Sequence, residues 1–206
     1  MTNLTLWILV GLFVAVFLLP LPAVAPGRMP DRGARRAADV ALGWVVLFFA
    51  LHVYWYCGGH FASPGEVPPL STPNRVEGAA GLHSVVPWVL NAVIELAWPV
   101  GALVCLTIAR GRARGRLASA AQALVWVGCV LLLLRGVAGL LDDVTRATGV
   151  LPNGITGLSL QDTTGHAHLQ WSGWAIDGYF LVGGIAFLLL AIRHRGRQPG
   201  LVARGG

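Results

Sequence analysis

Four side chains of catalytic type lie inside long apolar runs of this sequence: His52, Glu95, Arg135 and Asp177. An ionisable group in an apolar run costs free energy, so each is a candidate functional residue. Glu95 or Asp177 has the chemistry of a general acid/base, with Arg135 and His52 to tune or orient it. Depths follow at about 1.5 Å per residue from the arginine-poor end of each run. They put Glu95 near the middle of its run and the other three in the same outer half. Arg135 and Asp177 fall at nearly one level, which predicts an ion pair. Asn91 lies one turn above Glu95, and Tyr56 one turn above His52. Asp142 and Asp143, with Arg146, are expected as a charged rim at the mouth. The set fits an outward polar pocket. It fits equally an ion pair that only fixes helix register, since structural pairs shift charge states as active sites do.

Other chemistries have less support. Trp98 is deep and near Glu95, an aromatic wall that suits a cationic ligand. His166 and His168 form an HxH, the candidate zinc ligands, with Asp162 nearby and His60 and His83 in the other outer segment. Haem between helices needs an axial residue within the membrane, and His52 is the only deep one. Cys57, Cys105 and Cys129 form no CxxC pair and no even framework, which argues against thiol redox chemistry. The expectation is no cofactor and no resident metal.

The elements that must position these groups are helices in lipid. Of 206 residues, 55% are hydrophobic and only 12% charged, with a mean hydropathy of +0.67, where soluble domains run nearer a quarter charged. Apolar runs of helix length predict an all-α, polytopic transmembrane bundle of about five spans, read as a single membrane domain over 1–206. The spans are about 4–25, 38–58, 84–109, 117–141 and 171–192. The first has a small-x-small sequence at Ala23–Ala25, but no basic region precedes it and Pro26 follows, so a retained helix is expected. Pro99 should bend the third. Gly136, Gly139, Gly178, Gly183 and Gly184 are candidate points of close helix approach.

All fifteen basic residues are Arg, a usage matching a GC-rich bacterial genome. Twelve cluster in 26–37, 110–116 and the tail 193–206, against Arg75 and Arg146 in the loops 59–83 and 142–170. The positive-inside rule then predicts a bacterial cytoplasmic membrane protein with cytoplasmic tail and short loops, long loops outside, and the N-terminus outside. The net charge of +6 flanks spans in this arrangement, so the partners expected are membrane lipids and not nucleic acid. Trp55, Trp88, Trp171 and Trp174 suit the outer aromatic belt.

Three segments are distinctive: Leu51–Gly59 with His52, Trp55 and Tyr56; Leu132–Pro152 with Arg135-Gly136 and Asp142-Asp143; and Asp177–Phe187 with Gly183-Gly184. Over roughly 38–193 the chain resembles an uncharacterised bacterial family of small multi-span integral membrane proteins, a domain of unknown function. The resemblance implies a four-span helical core, to which the leading helix is an addition, and no established activity. Its motif residues include His52, Arg135, Asp142, Asp143 and Asp177.

Three functional readings stay open. One is a binding or accessory component of the cell envelope, with a lipid-like or small-molecule ligand. The second is a membrane-embedded enzyme acting on a lipid or isoprenoid-like substrate by carboxylate chemistry. The third, a small transporter, lacks the internal repeat such folds use. The sequence does not fix the oligomeric state.

Overall fold

A computed structural model describes residues 2–18, 31–57, 59, 82–113, 115–151 and 166–195. Every regular element among them is an α-helix: α1 Thr2–Leu18, α2 Arg32–Tyr56, α3 Leu82–Ala109, α4 Gly115–Ala147 and α5 His166–Arg195. The chain is an all-α bundle. Arg32–Trp55, Gly115–Ala147 and Gly173–His194 are long and apolar enough to cross a membrane, and Leu96–Ala109 is a shorter apolar stretch. α1 has 17 residues, or about 25 Å at 1.5 Å per residue, and 19–25 of the expected first span lie outside the described residues. Most of the loop 59–83, the segment 152–165 and the tail 196–206 do so too.

Helix ends do not coincide with the expected span ends. α2 starts at Arg32 rather than 38, with the Asp31 carbonyl accepting from Arg35 N at 2.9 Å. α4 continues six residues past 141. Within that extension Arg146 pairs with Asp142 at 2.5 Å, an i,i+4 bridge with the acid N-terminal, the favourable order on a helix. Gly149, at φ 73°, then ends it. α3 runs unbroken through Pro99 and stops at Gly111, φ 65°. There Arg112 N donates to Thr107 O and Gly111 N to Ile108 O, both at 2.9 Å, the paired bonds that close a helix on a left-handed residue.

α4 packs chiefly against α5, α5 also against α2, α2 against α3, and α1 against α3. α4 and α5 run antiparallel. At one end Gln122 Nε2 donates to Ala191 O at 3.1 Å, and His194 Nδ1 donates to Gln122 Oε1 at 2.6 Å. At the other, Asp143 lies against Gly173. The Arg193 guanidinium and the Asp31 carboxylate both sit over Gly33, bringing the start of α2 to the end of α5. The described parts of the three arginine-rich segments, 31–37, 110–113 and 193–195, are therefore at one end of the bundle.

The seams are built on small residues, which let backbones approach where no hydrophobic force drives helices together. A Cβ on Gly136 would come 2.8 Å from Leu181 N, and one on Gly184 would be 2.6 Å from a Leu133 methyl. A Cβ on Gly139 would meet the Asp177 carboxylate, and one on Gly183 the Trp44 indole. Gly178 is the exception to expectation: nothing lies within 4 Å of its Cβ position. It shares a helical stripe with exposed Val182, Ile185 and Leu189, so it faces out of the bundle. α2 and α5 are clasped by a reciprocal pair: Trp44 Nε1 donates to Tyr179 O at 3.0 Å, and Tyr179 Oη to Trp44 O at 2.8 Å.

Candidate functional site

Arg135 and Asp177 meet across the α4–α5 seam, with Arg135 Nη1 2.5 Å from Asp177 Oδ1. The pair is lopsided. The Asp177 side chain is 6% exposed, whereas Arg135 is 49% exposed and keeps donors at the bundle surface. Gly139, one turn after Arg135, gives the carboxylate its room, since any side chain there would occupy the same space. Sequence depth placed these two residues together, and the helices deliver them from opposite sides of one seam.

Asp142, Asp143 and Arg146 belong to this group electrostatically: Asp143 interacts with Asp177, Arg146, Asp142 and Arg135. All three ride on the last turns of α4 rather than in the outer loop expected from 142. An isolated cluster of like acids would be costly. Here the two guanidiniums interleave with the three carboxylates, and Arg146 takes Asp142 while Arg135 takes Asp177. Asp143 Oδ2 is left buried without a hydrogen-bond donor among the described residues.

His52 sits apart from the ion pair, in aromatic surroundings. Its ring centroid is 4.2 Å from that of Trp98, 4.6 Å from Phe48 and 4.8 Å from Trp55. Its Nδ1 donates to Phe48 O at 3.2 Å. A backbone carbonyl only accepts, so Nδ1 carries the proton, and Nε2 is the acceptor of the neutral ring. Trp98 stacks on Phe48 at 4.3 Å and is 6% exposed. The ring is buried among aromatic neighbours on α2.

The two groups are joined by rings. Arg135 Cζ lies 5.1 Å from the Phe180 centroid, a cation–π contact. Phe180 meets Phe48 edge-on at 5.0 Å, and Phe48 touches both His52 and Trp98. Phe180, Phe48 and Tyr179 were not anticipated from sequence. The available signal was an aromatic run in α5 one turn below Asp177, which lacks any charge to draw attention.

The side chains of Tyr56, Asn91, Glu95, His166 and His168 lie outside the described residues, so Glu95 is not placed relative to Trp98 or Asp177. His166 and His168 are in the first turn of α5, not in a loop. Among the described residues no three His, Cys, Asp or Glu side chains group as metal ligands. Cys57 is exposed, and Cys105 on α3 and Cys129 on α4 are buried, each as a free thiol.

Chemically, the Arg135 group can present hydrogen-bond donors outward while its acid is held. Among the described residues the most buried carboxylate, that of Asp177, is already engaged by a guanidinium. No protein-family model, curated protein or solved structure matches the chain. The reading of the site rests on its geometry.

Proposed function

We propose that the chain is a binding or accessory component of the bacterial envelope, spanning the cytoplasmic membrane with its C-terminus inside and its N-terminus outside. Its ligand is lipid-like, and the group that meets it is the Arg135 guanidinium, at the outward end. The supporting observation is the lopsided ion pair: Asp177 is buried and engaged, while Arg135 remains half-exposed with donors to offer. A guanidinium in that position donates to phosphate or carboxylate oxygens in planar, two-pronged fashion. Its depth in the outer half suits a lipid headgroup or the upper part of its tail.

The alternative, an enzyme working on a lipid or isoprenoid-like substrate, needs a carboxylate released to move a proton. Asp177 in its paired state is poorly suited to that, which leaves Glu95 as the carboxylate of that reading. The test is lipid retention. Protein purified from native membranes should carry a lipid class enriched over bulk, and the Arg135→Met/Asp177→Asn double variant, which removes the guanidinium without stranding its acid, should lose the enrichment while remaining folded. Equal lipid content in the two proteins sinks the reading. A precursor lipid that accumulates in a deletion strain would favour the enzyme.

A further inference from the structure

Trp98 carries a buried donor with nothing to donate to: its Nε1 has no hydrogen-bond acceptor among the described residues, although the residue is only 6% exposed. Leaving such an N–H unmet in apolar surroundings costs about 1–3 kcal/mol. Four ångströms away, ring to ring, His52 presents the opposite valence, because its Nδ1 is spent on Phe48 O and its Nε2 accepts. A donor and an acceptor are thus carried by two rings in contact, with Phe48 against both and Trp55 against the imidazole.

We propose that His52 and Trp98 form a second binding site, independent of Arg135, for a membrane-soluble molecule with a phenol-type hydroxyl on its head. A hydroxyl is the smallest group that meets both valences at once: its O–H donates to His52 Nε2, and its oxygen accepts from Trp98 Nε1. The flat aromatic walls favour a flat ring as its carrier, since offset or edge-on ring contacts add about 0.5–1.5 kcal/mol beyond burial. The indole and the imidazole also lie on different helices, α3 and α2, so occupancy would pin these two together. Only binding is assigned to the site; no bond is made or broken.

The test uses full-length protein in phosphatidylcholine nanodiscs and three probes: 4-hexylphenol, its methyl ether 4-hexylanisole, and farnesol. Empty nanodiscs correct for partitioning. The phenol should bind saturably, with the anisole, which has lost its donor, at least about fivefold weaker, and farnesol, which lacks the flat head, weaker again. Trp98→Phe keeps a ring and removes the N–H, and should weaken the phenol about three- to tenfold, as one hydrogen bond allows. The probe series on the unaltered protein stands even if that variant fails to fold. Phenol and anisole binding alike, or farnesol matching the phenol, overturns the assignment. So does a Trp98→Phe protein that is less stable yet binds the phenol unchanged, because the indole N–H would then be satisfied within the chain.

Discussion

Removing one member of the Arg135–Asp177 pair should be far more harmful than removing the other. Arg135→Met strands a carboxylate that is 6% exposed. Breaking a buried pair in this way costs about 3–5 kcal/mol, because the remaining charge is uncompensated. Protonation of the stranded acid sets the ceiling. Asp177→Asn is chosen for the reverse change because Gly139 leaves space for nothing larger. Here the residue left alone is Arg135, already 49% exposed and long enough to swing its head toward the interface. Discounting for that exposure brings the cost to about 1–2 kcal/mol. The double variant leaves only an under-bonded amide, about 1–3 kcal/mol. It should therefore be more stable than Arg135→Met alone by roughly 2 kcal/mol, about thirtyfold in the unfolding constant. Reversible unfolding of purified protein, titrated with SDS in mixed micelles, measures all four corners of the cycle. If Asp177→Asn proves the costlier single change, or if the double variant is worse than Arg135→Met, the account of a buried acid held by an exposed base is wrong.

Further outcomes follow from the seams and the sidedness. Gly136→Ala should destabilise by about 1–3 kcal/mol, because its Cβ would lie 2.8 Å from the Leu181 backbone nitrogen. Gly178→Ala, with open space at the same position, should be neutral or stabilising by up to about 1 kcal/mol; the same SDS titration compares them. Gln122→Leu removes the bonds to Ala191 and His194 and should cost about 1 kcal/mol at the average of about 0.6 per interhelical bond, read as a lower thermal midpoint in micelles. A membrane-impermeant maleimide added to intact spheroplasts should label Cys57, which is exposed at the arginine-poor end, and leave buried Cys105 and Cys129 unmodified. Ala113→Cys should stay unlabelled in the same assay, and its labelling would reverse the orientation.

Much of the architecture was visible beforehand because lipid imposes a simple filter. A run such as Leu131–Leu134 beside Val127 and Val130 has one economical solution, a helix, and the even spacing of arginine-rich segments orders the ends. Depth counting also brought Arg135 level with Asp177, since rise per residue is the same on both helices. Hydropathy does not report hydrogen bonding, however. The extra turns of α4 were invisible to it, because Asp142 and Arg146 count as polar although their i,i+4 pairing helps extend the helix. Rotation about each axis was equally hidden. Gly178 and Gly183 look alike in the sequence, but only Gly183 faces Trp44. The aromatic neighbours of His52 were missed for the same reason, since Phe48 and Trp98 become partners only when α2 and α3 take up their relative turn.

The reciprocal bonds between Trp44 and Tyr179 join α2 to α5, while α4 makes its main contact with α5 alone. In assembly terms the chain is modular: a front portion ending at Arg112 and a rear hairpin starting at Gly115 meet chiefly along the α2–α5 line, with a lesser contact of α3 on α4. The join is addressed by two side chains that each donate to the other's backbone, so it is specific in register as well as in partner. Such a protein is suited to being made as two polypeptides, cut within the arginine-rich connection, that find each other in the bilayer.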